Sequence, residues 1–240
     1  MNTKFNFIYC LAGKGKRFTA QQITLPKYLL QLEDGQTILE KSILEFNFSA
    51  AVDLHLVINE EHQGFVGQIE AILSKFENNF SIVVTPDTQG QAETGFIGCT
   101  HIHNQDPIFF FNGDTILRGR DVATMSTEMT SGFAGAIDIF LESRNHFSFV
   151  LMNDEGLVEK IAEKDPISNY ATTGLYGFGN KEVYAKYYHD IRTTNEMYIS
   201  DIYKLMLENN EKIKGYVYKN EMDTIILGTP EEYFSNKHKI

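Results

Sequence analysis

The sequence predicts an α/β domain: a mainly parallel, Rossmann-like central sheet flanked by helices, with an antiparallel portion added in the second half. Three observations carry this. From residue 7 to residue 84, apolar runs alternate with stretches of helical periodicity; this order of strand, helix, strand, helix, strand implies right-handed crossovers and a parallel sheet. The run Ile108-Phe109-Phe110-Phe111 has no polar alternation, so both faces of that strand are expected to be buried. Beyond Phe133, short strands follow one another across turn residues, which points to antiparallel pairing.

Taken in order, Phe7 to Ala12 is a buried strand that breaks at Gly13-Lys14-Gly15-Lys16-Arg17, and Pro26-Lys27 follows a short polar insert. Tyr28-Leu29-Leu30-Gln31-Leu32 reads as a short strand and Asp34-Gly35 as a turn. Thr37 is placed to cap a helix from Ile38 to about Phe48, with Ile38, Leu39, Ser42, Ile43 and Phe46 in one stripe. Leu54 to Ile58 is a strand, residues 60–78 are helical, and Phe80 to Val84 is a strand again. Residues 85–91 form a loop, and a helix starts at Ala92.

Asn112-Gly113 between two apolar runs is a hairpin signal. The unbroken apolar stretch before it favours a central strand instead, with Asp114 just past its carboxyl end, where open α/β sheets bind ligands. A helix over Val122–Met129 follows, then strands over Phe133–Leu141, Phe147–Met152, Leu157–Glu163 and Ala171–Gly179. Helices near 180–192 and 198–209 and strands over Ile213–Tyr218 and Asp223–Leu227 lead to a last helix, with Thr229 as cap and Pro230 at its first position.

The chain has 240 residues, 32 acidic against 21 basic, and a formal net charge of -11. That length suits one domain, 1–240. Its acidity argues against nucleic acid or an anionic membrane as partner, and no apolar run approaches a membrane span. The N-terminal apolar segment runs into the glycine loop without a small-residue cleavage site, so a cytoplasmic protein is expected. Cys10 and Cys99 sit in apolar settings and are expected as buried free thiols. Lys14, Lys16, Arg17 and Lys27 are gathered around two glycines on an otherwise anionic chain, and backbone N–H groups with adjacent cations suit a polyphosphate. The alternative is a tight turn with solvated lysines.

The set LAGKGKRF (11–18), PKYLL (26–30), TQGQAET (88–94), FFFNGDTIL (109–117), AEKDPIS (162–168), TTGLYGF (172–178), EMYISDIY (196–203) and LGTPEEY (227–233) resembles, in order and over nearly the whole chain, the nucleotidyltransferase family that includes sugar-1-phosphate nucleotidylyltransferases. The resemblance implies an enzyme that transfers a nucleotidyl group from a nucleoside triphosphate to a phosphorylated acceptor, with Mg²⁺ as cofactor. It implies a nucleotide-binding half over 1–130 and an acceptor-binding half over 131–240. By the same resemblance Leu11, Ala12, Gly13, Lys14, Gly15, Lys16, Arg17, Thr85, Gln89, Gly90 and Gly113 would meet the nucleotide, with Gln91 as a second candidate at the base edge. Arg17, Lys27 and Asp114 would carry the chemistry, and Lys27, Glu163, Lys164, Thr173, Gly174 and Tyr198 would meet the acceptor. Asp114 would bind the metal, and Asp223 is carried as a second ligand although the family's usual position is occupied here by Ile226.

An activated sugar for surface polysaccharide is the expected product. A cytidylyltransferase for a small phosphorylated alcohol or amine, a nucleotide-sugar-dependent glycosyltransferase and a non-catalytic nucleotide-binding homologue are the alternatives. The base, the acceptor and any homo-oligomer stay open at this stage.

Overall fold

The computed structural model describes residues 3–192 and 196–240. In chain order the elements are β1 (Asn6–Leu11), α1 (Lys16–Thr19), α2 (Ile38–Phe46), β2 (Asp53–Asn59), α3 (Val66–Leu73), β3 (Phe80–Thr85), α4 (Gln91–Cys99), β4 (Ile108–Phe111), β5 (Thr115–Leu117), α5 (Val122–Thr130), β6 (Gly135–Leu141), β7 (Ser148–Met152), β8 (Val158–Glu163), β9 (Tyr170–Phe178), α6 (Lys181–Tyr188), α7 (Ile199–Glu208), β10 (Ile213–Tyr218), β11 (Thr224–Ile226) and α8 (Pro230–Asn236).

The main sheet runs β10-β6-β9-β4-β1-β2-β3. Its neighbours are parallel except where β9 lies against β4 on one side and β6 on the other. β7 and β8 form a hairpin that joins β9 through Phe149 and Ala171. β11 pairs antiparallel with β5 in a separate ribbon. The fold is therefore α/β with a mostly parallel sheet and an antiparallel portion, as expected.

Strand alternation divides the core between the two faces. Phe7, Tyr9, Leu11, Phe109 and Phe111 pack with Leu39, Ile43, Phe46, Ile69 and Met125 on one side. Ile8, Ile108 and Phe110 pack with Tyr184, Ile202, Tyr203 and Met206 on the other. A strand buried on both faces has no polar residues to alternate, which is why 108–111 reads as it does. Cys10 and Cys99 are free thiols, and burial raises both pKa values well above the ordinary thiol range. No helix among the described residues is long and apolar enough to cross a membrane.

Local signals hold where the chemistry is local. Thr37 accepts from the Glu40 N–H at the start of α2. Thr229 and Glu232 close a reciprocal capping box on α8, with Pro230 in its first turn. Two expectations are corrected. Tyr28–Leu32 is not a strand: Lys27–Leu29 form a 3₁₀ turn, and only Gln31 bridges, to Thr37. Tyr28, Leu29 and Leu30 are consecutive and all buried, so residues 28–30 have no alternating face to offer a sheet. The helix expected over 60–78 begins as a 3₁₀ turn, Glu60–Phe65, with Asn59 capping the Glu61 N–H, and its α-helical part is confined to α3.

Candidate active site

The loop after β1, the end of β4 and the middle of β9 border a cleft of about 990 Å³. On one wall lies the glycine loop. Gly15 has φ +61°, a left-handed conformation that favours glycine. Gly13 has no such constraint, and a Cβ placed on it would meet nothing within 4 Å. None of the described residues fills that space. Lys16 and Arg17 are exposed and make no ion pair among the described residues. Lys14 differs: its Nζ lies 2.8 Å from Asp87 Oδ2 and 2.8 Å from Glu61 Oε1. Its hydrogen bonds to those carboxylates raise its pKa, and Lys14 in turn holds Asp87 below the usual carboxylate range. The loop is thereby moored to the ends of β2 and β3.

The 85–91 loop forms the adjoining edge. Gly90, at φ +145°, leaves room for the Met197 backbone, which a Cβ there would strike. Met197 N–H donates to Gln89 O (2.7 Å), and Ala92 N–H donates to Met197 O (3.1 Å). Gln91 lines the cleft with a buried Nε2 that has no hydrogen-bond partner among the described residues. Gln89 and Gly90 also line it; Gly15 lines only the adjoining recess beside Lys27, and Leu11, Thr85 and Gly113 line neither. Leu11 and Thr85 are buried, and a Cβ on Gly113 would fall 2.6 Å from Leu11 Cδ2, so these residues support the walls from beneath.

Lys27 and Asp114 meet across the cleft, Nζ to Oδ2, at 2.5 Å. Lys27 comes from the 3₁₀ turn that Pro26 opens, and Asp114 from the turn between β4 and β5. The Asp114 backbone is fixed by Leu227 N–H, which donates to its carbonyl (2.9 Å). Gly228 faces the carboxylate: a Cβ there would stand 3.2 Å from Asp114 Oδ2 and 3.7 Å from Glu232 Oε2. Asp114 therefore borders a space a side chain would close, and its oxygens suit a hard divalent cation. Asp223 is not brought to this place. Its carboxylate accepts from Asn220 Nδ2 in the 3₁₀ turn before β11, outside the cleft, and no bulge turns it inward. Among the described residues no three His, Cys, Asp or Glu side chains form a metal cluster.

Glu163, Lys164, Thr173, Gly174 and Tyr198 line the far side. Glu163 Oε2 accepts from Ser148 Oγ and from Ser200 Oγ. Lys164 holds a left-handed backbone, φ +53°, unusual for a residue with a side chain. Its Nζ donates to Tyr198 Oη (2.6 Å), which donates to Glu196 Oε2 (2.5 Å). The bond to Tyr198 raises the Lys164 pKa, and burial raises that of Tyr198. Ser148, Ser200, Asp87 and Asn112 also border the cleft, and the sequence reading missed them as site residues. Ser148 had a readable signal, since alternation along β7 puts it and Val150 on one face; the others are brought in by loops and crossovers.

A model of the nucleotidyl transferase family matches residues 10–240. The bifunctional protein GlmU of Helicobacter pylori (strain HPAG1) is 28% identical over 229 residues, covering 89% of this chain and 49% of that protein. The chain thus spans about half the length of the curated relatives it matches. The crystal structure of a nucleoside-diphosphate-sugar pyrophosphorylase from Vibrio cholerae RC9 superposes with a TM-score of 0.85 at 26% identity, covering 98% of this chain and 100% of that one. A UDP-glucose pyrophosphorylase complexed with UDP-glucose shares the fold, with a TM-score of 0.76 at 19% identity over 99% and 97% of the two chains.

Proposed function

We propose that this chain, which belongs to the nucleotidyl transferase family, transfers a nucleoside monophosphate from a nucleoside triphosphate to the phosphate of a sugar 1-phosphate and releases pyrophosphate. The observation that carries this reading is the meeting of Lys27 with Asp114 beside an open, cation-flanked glycine loop. In this scheme the amides of residues 12–16 receive the triphosphate and Arg17 neutralises the departing pyrophosphate. Lys27, beside that loop, lies between the α-phosphate and the incoming phosphate. The acceptor phosphate is already a nucleophile, so positioning and charge neutralisation do the work and no strong base is needed. Asp114 would hold Mg²⁺, which would draw the anionic reactants together and stabilise charge on the transferring centre. Gln91, with its unpartnered amide, would read the base edge.

The far side suits a polyhydroxyl acceptor. Ser148 and Ser200 orient Glu163 from one oxygen, leaving the other to accept from substrate hydroxyls, and Lys164 and Tyr198 add a charge and a hydroxyl beside it. The resemblance to a nucleoside-diphosphate-sugar pyrophosphorylase supports a sugar phosphate. In this reading residues 1–130 hold the nucleotide and 131–240 the acceptor, and the product supplies surface polysaccharide synthesis. The test is incubation with each nucleoside triphosphate and a panel of sugar 1-phosphates, phosphoalcohols and phosphoamines with Mg²⁺, following pyrophosphate. Release with a sugar 1-phosphate is expected; release only with a phosphoalcohol or phosphoamine, or with no pair, would overturn the assignment.

A further inference from the structure

Between Ile137, opposite Tyr176, and Ile139, opposite Thr172, β6 contributes one residue and β9 three. The single residue is Asp138, and the three are Thr173, Gly174 and Leu175. Such a bulge re-aims the chain locally, and here it turns Thr173 and Gly174 into the cleft. Gly174, at φ +88°, lies so close to Asn112 that a Cβ would fall 2.7 Å from Asn112 Nδ2, two residues before Asp114. Thr173 Oγ1 donates to Asp138 Oδ1 (2.7 Å), so its hydroxyl works inward, and what it offers a ligand is backbone and methyl.

Asp138 is fully buried and is paired with Arg120, also fully buried. Arg120 Nε reaches both carboxylate oxygens (3.3 and 3.2 Å), and one terminal nitrogen donates to Oδ1 (3.2 Å) and to Thr224 Oγ1 (2.6 Å). The other donates to the carbonyls of Arg118 (2.9 Å) and Asp223 (2.5 Å), and the Tyr218 ring lies 3.9 Å from the guanidinium carbon. Thr224 opens β11, which pairs with β5 through Thr224–Leu117, Ile225–Ile116 and Ile226–Thr115. That ladder ends where Leu227 holds the Asp114 carbonyl and Gly228 faces its carboxylate. One guanidinium thus reaches both the wall that carries Thr173 and the ribbon that sets Asp114.

We propose that Arg120 and Asp138 are positioning residues for the transfer reaction: their buried pair fixes the β9 bulge that presents residues 173–174 to the acceptor and the β5–β11 register that sets Asp114. The proposal rests on the reading of the cleft as a nucleotidyl-transfer site. A buried ion pair is seldom retained for stability, since apolar residues of similar volume commonly serve that purpose as well, but it specifies register.

The test replaces both partners, Arg120→Met with Asp138→Leu. The double variant is expected to fold and melt close to wild type, whereas kcat/KM for pyrophosphate release falls about 100-fold, as misplacement of reacting groups by roughly 1 Å would cause. The loss is expected in acceptor KM, through residues 173–174, and in kcat, through Asp114, with nucleotide Kd retained. Thr173→Val, which leaves both charges in place and removes only the hydroxyl's bond to Asp138, reproduces the acceptor KM increase, and Thr173→Ser, which keeps the hydroxyl, restores it. A folded double variant with wild-type kinetics overturns the proposal. If wild-type protein itself releases no pyrophosphate, the functional reading fails, and the positioning claim is judged by amide hydrogen exchange in the double variant. Faster exchange at both 172–175 and 225–228 supports it; unchanged exchange at either overturns it.

Discussion

Lys27 Nζ stands 2.5 Å from Asp114 Oδ2, with 21% and 19% of the two side chains exposed. The pair joins groups that are 87 residues apart in sequence. Each partner compensates the other, and on the proposed reading an incoming polyphosphate with its cation would compete for both. Lys27→Met and Asp114→Asn are each expected to lower the rate of pyrophosphate release by a factor of about 100 or more. Because the pair is partly solvated, melting temperature should move little. Steady-state assays beside thermal melts check this, and a variant that keeps its rate removes that residue from the chemistry.

Chelation of divalent ions is expected to abolish pyrophosphate release, and Mg²⁺ to restore it. Mn²⁺ retained by the protein in the presence of nucleotide, read by electron paramagnetic resonance, should fall in Asp114→Asn and persist in Asp223→Asn, since only Asp114 borders the cleft. Equal loss in both variants would return Asp223 to the ligand set.

The two loop glycines should separate folding from binding. Gly13→Ala meets no protein atom within 4 Å and should melt like wild type while weakening nucleotide binding. Gly15→Ala must hold φ +61° and should cost about 1–2 kcal/mol of stability. Calorimetric titration with nucleotide alongside denaturant unfolding tells them apart; an unaltered nucleotide Kd in Gly13→Ala would show that the open space is not occupied by phosphate.

Gln91 carries a buried amide nitrogen without a partner among the described residues. Gln91→Leu is expected to reduce discrimination among the nucleoside triphosphates by roughly tenfold while leaving affinity for the triphosphate moiety, the cost of one base-edge hydrogen bond to an otherwise unpaired group. Competition among the four nucleotides measures it. Unchanged selectivity would move base recognition elsewhere.

Burial lifts the Asp138 pKa to about 6, against the pull of Arg120 and the Thr173 hydroxyl. Tyr218, Thr224 and the carbonyls of Arg118 and Asp223 are the other polar groups gathered on Arg120. The folded protein thus keeps this proton to a higher pH than the unfolded chain, whose aspartates titrate at about 4. The stabilisation it contributes is complete below about pH 4 and lost as pH rises through about 6. Wild type should therefore lose stability relative to Asp138→Asn over that interval, by about 3 kcal/mol at most. Unfolding free energies of both proteins from pH 4 to 7 give the difference, and a flat difference would mean that Asp138 does not titrate there. Arg120→Met alone, which strands a buried carboxylate, should cost about 3–5 kcal/mol at neutral pH.

The sequence made the glycine loop, the central strand and the Thr37 and Thr229 caps legible because each depends on neighbours within a few residues. Lys27 and Asp114 were also legible, by their family motifs, although their meeting is a tertiary fact. Other features depend on partners the sequence does not display. Leu11, Thr85 and Gly113 belong to the right loops but turn beneath the cleft, since strand ends alternate between cavity and core. Asp223 stands three positions before the family's usual ligand position, and the turn capped by Asn220 carries it outward. The Arg120–Asp138 pair left no trace, because interior charges within an acidic chain look like surface ones until the packing is seen. The position of β9 between β4 and β6 was hidden for the same reason: nothing in its own residues tells which strands it will separate.

That position bears on how the polypeptide reaches its native state. Ile108–Phe111 obtains its second neighbour only from residues 175–178. During synthesis a phenylalanine-rich strand edge therefore waits, unsheltered, until residues 175–178 have left the ribosome. Such an edge is a template for wrong partners. The strand that ends beside Asp114 is thus also where a stalled or truncated nascent chain would be expected to aggregate, and where chaperone protection would matter most.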